Sequence, residues 1–339
     1  MDVGLPDTNA WPRLGRDNLR NAALVLAAPI PALCAAWVLF HSFPADAIPR
    51  APTDSSGSAS VAAWLLHHPL WALNLFYFVF VNLQFWAVAL VQRSSWLIDP
   101  YWTLIPLFIV GFYAANPLAT PDTTRLGLAA TALGLWSVRL TGNYFRREGW
   151  RFGLREDWRY ARMRRERPGF WWEQFFVVYL AQHGMLVGLT LPFWAICFRS
   201  TPLSAWDFAC FALALSGIAI AHVADGQLDR FMRANEARRQ RRQEVVRVLD
   251  TGIWRWSRHP NYFGEQLFWW SIAGYGFVCG EPWVVVGTVF NSLVLVGVTI
   301  MTERRILDVP ERREAYAAYR TRTSAWIPWP PRPGRRRIR

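Results

Sequence analysis

Along this chain the apolar residues come in blocks, about eight near-continuous apolar stretches separated by polar segments. A helix needs roughly 20 mainly apolar residues to cross the hydrocarbon core of a bilayer. The stretches fall near 22–42, 70–91, 97–115, 123–142, 171–197, 206–224, 264–280 and 284–301. They predict an all-α fold, a multi-pass transmembrane bundle of about eight spans, formed as a single integral membrane domain over 1–339. The third and fourth stretches are short, and Gln182-His183-Gly184 interrupts the fifth. No fixed-period repeat is present, so neither a solenoid nor an internally duplicated transporter is indicated.

Composition agrees: of 339 residues 53% are apolar, with 21 Trp and 22 Phe. Charge adds an orientation. Arg13, Arg16 and Arg20 precede the first stretch, and dense Arg runs fill 146–167, 230–258 and 304–339. The loops near 43–60, 116–125, 198–205 and 280–283 carry only Arg50, Arg125 and Arg199. Short cytoplasmic loops collect basic residues, so both termini are expected in the cytoplasm. The net charge of +13 is thereby explained by topology, and no nucleic-acid partner is expected. The polar first 21 residues lack a short apolar core with a cleavage site, so no removable signal peptide is expected. The segment Phe43–Ser60 reads as an exposed non-cytoplasmic loop.

All 37 basic residues are Arg, which excludes a Walker-A loop, a Schiff-base lysine and a Ser-Lys dyad. Cys34, Cys197, Cys210 and Cys279 sit in apolar segments without CxxC spacing and read as packing thiols. His41, His67, His68, His183 and His222 form no HxxxH or HExxH arrangement, and no metal is expected. His183 reads as a satisfied polar group inside the bundle. The segment Glu303–Tyr319 reads as an interfacial helix, followed by an aromatic anchor at Trp326 and Trp329.

Candidate chemistry gathers in four places. In Leu249–Glu265, Gly252 permits a tight turn and Pro260 suits the first turn of a helix, so Arg258 and His259 stand at a helix N-terminus, a natural anion site. The alternative is that they only snorkel to the interface. Glu265 argues against it, since a carboxylate at bilayer depth costs roughly 2.5–3.5 kcal/mol unless partnered. Asp225, Asp229 and Arg233 share one helical face beside Arg230. Trp150–Arg167 carries Arg159 and Tyr160 in an Arg-dense loop that suits phosphate and adenine, or simply positive-inside topology. Asp99 stands near Tyr101, as an intramembrane acid or an N-cap ahead of Pro100.

The run Arg258-His259-Pro260-Asn261-Tyr262-Phe263-Gly264-Glu265 closely resembles the signature of the steroid 5-alpha-reductase C-terminal family, including its DUF1295 branch. The resemblance extends over about 125–330, with the cofactor-binding half at about 171–330. It implies NADPH as cofactor and a pocket that includes Asn261, Tyr262 and Glu265 with Arg258 and His259. Asp225 with Leu228, followed by Arg230 or Arg233, is similar to a family element that grips ribose and phosphates. There the sequence departs from the pattern: Ala221 stands where an acidic or amide residue is expected. Arg155-Glu156-Asp157-Trp158-Arg159-Tyr160 resembles the family's Glu-Asp-x-Arg-Tyr loop. Sterol reductases of the lamin-B-receptor type share Arg-His-Pro-Asn-Tyr, while isoprenylcysteine methyltransferases share Arg-His-Pro-x-Tyr-x-Gly and use S-adenosylmethionine.

The expected activity is therefore NADPH-dependent reduction of a carbon–carbon double bond conjugated to a ketone in a lipophilic, steroid- or isoprenoid-like substrate. A hydrogen-bond donor would steady the developing enolate oxygen, with Asp99, Tyr101 and Tyr77 as candidates. The alternatives are an S-adenosylmethionine-dependent methyltransferase of a prenyl-like or lipid acceptor and a non-catalytic sterol- or lipid-binding protein. The membrane would be the endoplasmic reticulum in a eukaryote or the inner membrane in a bacterium.

Overall fold

The computed structural model describes residues 14–42, 58–147, 149, 151–153, 156 and 158–332. Most of the 43–60 loop, with Arg13, Arg50, Arg155, Asp157 and the last Arg run from 335, lies outside the described residues. The described residues are helical, with an isolated parallel bridge between Ser257 and Ser324. Among the described residues, five helical stretches are long and apolar enough to cross a membrane: Asn18–His41, Pro69–Gln92, Phe170–Phe198, Ala205–Gln240 and Pro282–Leu307.

The chain divides into two compact units, residues 1–121 with 137–190, and residues 122–136 with 191–339. The first contains α1 (Leu14–Ala27), α2 (Ile30–His41), α3 (Ser58–His67), α4 (Pro69–Tyr77), α5 (Gln84–Gln92), α6 (Ile98–Tyr101) and α7 (Ile105–Ala114). It also holds the second half of α8 (Thr123–Arg147), α9 (Trp158–Glu166), α10 (Phe170–Gln174) and the first part of α11 (Ala181–Phe198). The expected 97–115 stretch is thus two short helices. Trp102 to Leu104 break it, and α7 starts at Ile105 with Pro106 in its first turn, so neither piece is long enough to span alone.

Two spans of this unit contain a π-helical segment, Phe78–Leu83 between α4 and α5, and Phe175–Leu180 between α10 and α11. The two segments pack together, with Phe78 edge-on to Phe175 at 5.9 Å. Trp86 Nε1 donates to the Trp171 carbonyl at 2.9 Å, and the buried Ser95 hydroxyl donates to Gln174 Oε1 at 2.7 Å. The outer faces carry large apolar side chains such as Trp71 and Trp172, as lipid contact requires.

The second unit is built on α12 (Ala205–Gln240) and α13 (Pro260–Val278), with α14 (Val286–Leu307) and α15 (Pro310–Arg322) completing it. The 36 residues of α12 reach about 54 Å at 1.5 Å per residue, well beyond a hydrocarbon core of about 30 Å. Its Arg-rich end from Asp225 onward therefore projects past the apolar stretch. A capping box starts the helix: Ser204 and Asp207 satisfy each other's backbone N–H groups. Asp207 is also fully buried against Arg125 of α8, Nε to Oδ1 at 2.6 Å, while Arg125 donates on to the Thr201 and Pro202 carbonyls. Arg125 thus pins the start of α8 to the α11–α12 turn.

Small residues let α12 and α13 approach. Ala214, Gly217, Ala221 and Ala224 form a buried stripe on α12. A Cβ on Gly217 would stand 2.6 Å from the Gly264 carbonyl oxygen and 2.7 Å from the Phe268 nitrogen. A Cβ on Gly264 would stand 2.7 Å from the Ala221 nitrogen. Ala221 therefore departs from the expected acidic or amide residue for a visible reason: it sits in the crossing, where a longer side chain has no room.

Candidate functional site

Where α12 leaves its apolar stretch, the connection from Arg241 to His259 folds back on it. Asn235 holds this connection with both ends of its amide, donating to the Val246 carbonyl at 2.8 Å and accepting from Val246 N–H at 2.9 Å. Gly252 turns with φ +60, which places the following backbone against Gln227, whose Oε1 accepts from Ile253 N–H at 3.1 Å. Trp254 Nε1 donates to the Ala224 carbonyl at 3.1 Å. The chain then enters α13 with Pro260 in the first turn, as the motif predicts.

A second layer comes from the C-terminal segment. Arg258 N–H donates to the Ser324 carbonyl at 2.9 Å, and His259 N–H donates to the Ala325 carbonyl at 3.0 Å. The buried Tyr319 hydroxyl donates to the Trp254 and Ser257 carbonyls. Glu303, buried near the end of α14, accepts from Arg258 Nε at 2.7 Å and His259 Nε2 at 3.1 Å, and pairs with Arg320 Nε at 3.2 Å. Arg258 further donates to the Arg320 and Thr323 carbonyls. Its guanidinium is thereby committed to holding the C-terminal segment in place.

These elements enclose a cavity of about 200 Å³. Phe231 and Met232 of α12, Trp254, Tyr262, and Tyr316 with Tyr319 of α15 supply apolar wall. Arg247, Arg258 and Arg312 supply positive charge, with His259 and Asn261 beside them. No Asp or Glu is among the described residues of the lining. Tyr262 stacks on His259 with ring centroids 5.1 Å apart. Asn261 Nδ2 donates to Asp225 Oδ1 at 3.4 Å, which leaves Asn261 Oδ1 buried and without a partner among the described residues.

Of the residues expected to hold a cofactor, Arg258, His259, Asn261 and Tyr262 line this cavity. Asp225 stands behind Asn261. Glu265 accepts from Trp136 Nε1 of α8 at 2.7 Å, and Trp136 in turn stacks on Phe268, so the intramembrane carboxylate has a partner. Arg230 donates to the Gly226 carbonyl of its own helix, and Arg233 pairs with Asp229 at 3.1 Å on the exposed face. Arg159 and Tyr160 belong to the first unit, where Gln182 donates to the Tyr160 hydroxyl at 2.8 Å. Asp99 and Tyr101 lie on α6, and Tyr101 donates its hydroxyl to the Val25 carbonyl. The Tyr77 hydroxyl is buried without a partner among the described residues.

Arg247, Arg312, Tyr316 and Tyr319 were not distinguished by the sequence motif. Tyr316 and Tyr319 are buried, so α15 is a wall of the cavity. Their spacing of three, one turn after Arg312, was the available signal.

Fold and site together define a helical membrane protein with a basic-rimmed, aromatic-walled pocket where its longest helix leaves the apolar layer. The chain belongs to the family described as "Protein of unknown function (DUF1295)", which matches residues 85–323. It is also 27% identical over 263 residues to the uncharacterized protein C594.04c of Schizosaccharomyces pombe, covering 72% of this chain and 75% of that one. No solved structure matches the chain.

Proposed function

We propose that the protein is a membrane-embedded, NADPH-dependent reductase of a carbon–carbon double bond conjugated to a carbonyl in a lipophilic, steroid- or isoprenoid-like molecule. The observation that carries this is the pocket chemistry: three Arg and no carboxylate among its described lining, beside a buried amide oxygen that lacks a donor. NADPH brings phosphates for the guanidiniums and carboxamide and amino N–H groups for Asn261 Oδ1. S-Adenosylmethionine has no phosphate and a net positive charge from its ammonium and sulfonium over one carboxylate, so it suits such a lining less well. Ligand pockets typically measure roughly 300–1,000 Å³, so the cavity has room for one heterocycle with its ribose rather than the whole dinucleotide.

When bound, NADPH supplies hydride to the carbon β to the carbonyl. The protein's own part is to hold and to exclude. Arg312 and Arg247 would meet phosphate and Asn261 Oδ1 would accept from the ring substituent with its amide fixed by Asp225, while Trp254, Tyr316 and Tyr319 would keep water from the walls. The Arg distribution supports a reading in which the pocket and both termini face the cytoplasm.

Titration of the detergent-solubilised full-length protein with NADPH, NADH and S-adenosylmethionine, followed by Trp fluorescence, tests the assignment. Saturable NADPH binding with no response to S-adenosylmethionine is expected. The reverse would make the protein a methyltransferase, and silence with all three would leave a lipid-binding protein.

A further inference from the structure

Within the first unit, a polar cluster lies inside the spans that contain the two π-helical segments. Both ring nitrogens of His183 are engaged, Nδ1 with Asn82 Nδ2 at 3.0 Å and Nε2 with Asn74 Oδ1 at 3.0 Å. Asn74 donates its amide nitrogen to the Leu70 carbonyl at 2.7 Å, which turns its oxygen toward the ring. Nε2 therefore carries the proton, and Nδ1 accepts from Asn82. The imidazole is a neutral spacer with a fixed tautomer.

Two groups next to it are left over. Tyr77 stacks on the imidazole, ring centroids 4.2 Å apart and planes 11° apart, yet its hydroxyl has no partner among the described residues. Asn82 Oδ1 has none either. Tyr77 is 4% exposed and Asn82 is fully buried. The π-helical segment explains why they share a face. They stand five residues apart around Phe78–Leu83, and i→i+5 bonding brings residues five apart back into line, whereas an α-helix would turn them well away from each other. Inside a membrane no bulk water relieves such groups, so an unmatched donor and an unmatched acceptor on two side chains that touch the same imidazole are costly unless something fills the place. Segments of this kind occur often at functional sites.

We propose that Tyr77 and Asn82, set against His183, form a binding site for the hydroxyl end of a lipophilic alcohol. The ligand oxygen accepts from the Tyr77 hydroxyl, and the ligand hydroxyl donates to Asn82 Oδ1. A ketone or aldehyde would answer Tyr77 and leave Asn82 unmatched. A carboxylate would set its charge against the Asn82 oxygen, and a hydrocarbon would answer neither. The site is independent of the cofactor assignment above.

The test is competition binding to the full-length protein in nanodiscs, with tritiated farnesol as probe and unlabelled farnesol, farnesal and farnesene as competitors. Farnesol should compete at least about tenfold better than farnesene, the worth of one hydrogen bond of about 1.4 kcal/mol, with farnesal between them. Tyr77→Phe should bring farnesal to the level of farnesene and shrink the lead of farnesol to what its bond to Asn82 supplies, and Asn82→Leu should bring farnesol to the level of farnesal. The melting temperature of Tyr77→Phe should not fall below that of the unaltered protein, because the lost hydroxyl breaks no bond. Cholesterol against cholestane, with tritiated cholesterol as probe, repeats the comparison for a rigid ligand. If neither alcohol outcompetes its hydrocarbon, the groups hold nothing more than water and the proposal fails. It fails equally if Tyr77→Phe leaves farnesal ahead of farnesene by the same margin.

Discussion

Replacing Arg312 by Ala should weaken NADPH binding and leave the fold intact, while replacing Arg258 should first of all damage the fold. Both side chains line the pocket, but their states differ. Among the described residues the Arg312 guanidinium has neither a hydrogen bond nor an ion pair, and it is half-buried at the rim. Arg258 is bonded to Glu303 and to the Arg320 and Thr323 carbonyls, in a pair whose side chains are 11% and 8% exposed. A charge-assisted hydrogen bond to phosphate contributes roughly 1.5–3 kcal/mol. For a rim residue the lower figure applies, so Arg312→Ala should raise the NADPH dissociation constant about tenfold. Removing one member of a buried pair costs about 3–5 kcal/mol, a large part of a total stability of about 5–15 kcal/mol. Arg258→Ala should therefore lower the melting temperature markedly, while Arg312→Ala should leave it nearly unchanged. Fluorescence titration with NADPH and NADH alongside thermal melts reads both quantities. A folded Arg258→Ala protein that has lost NADPH, together with an unaffected Arg312→Ala protein, would refute the reasoning and return the phosphate contact to Arg258.

Three further outcomes follow from the same geometry. Gly217→Ala should destabilise the second unit by about 1–3 kcal/mol, since the new methyl meets the Gly264 and Phe268 backbone; an unchanged melting temperature would mean that the crossing is looser than described. Glu281 accepts from Arg199 and from the Trp283 indole, and the Arg199 contact holds its carboxyl below the usual range. Its stabilisation is complete above the ordinary pKa of about 4.3 and is lost as pH falls through the lower folded value, so Glu281→Gln should flatten part of the acid-side fall in melting temperature rather than run parallel to the unaltered protein. Reporter fusions after Gly57 and after Arg339 should lie on opposite sides of the membrane, and the same side for both would overturn the topology drawn from the Arg distribution.

The apolar blocks were legible because bilayer thickness imposes a length on them, and each of the five long helical stretches among the described residues overlaps one of the stretches that hydropathy marks. The other three expected stretches are helical without meeting that standard. The 97–115 stretch is broken before Pro106, α8 carries Arg125 and Arg139, and the 19-residue α13 packs its face against α12. The start of the pocket was legible for a local reason: Pro260, Asn261 and Tyr262 follow one another in a single turn. What closes the pocket was not, because Glu303 lies 45 residues after Arg258 and Tyr319 takes the Ser257 carbonyl from 62 residues away. An Arg beside a helix N-terminus looks the same in sequence whether it faces a phosphate or a buried carboxylate. The π-helical segments were also invisible, since Phe78–Leu83 reads as ordinary apolar helix and nothing local shows that Tyr77 and Asn82 share a face.

The central claim is that the pocket between α12, the 241–259 connection and α15 takes NADPH. A cryo-electron microscopy map of the full-length protein in nanodiscs with saturating NADPH tests it most directly. The account predicts density in that pocket, with a donor of the cofactor within hydrogen-bond reach of Asn261 Oδ1 and phosphate against Arg312. An empty pocket with NADPH ordered elsewhere on the protein would contradict it, as would S-adenosylmethionine displacing NADPH from that density.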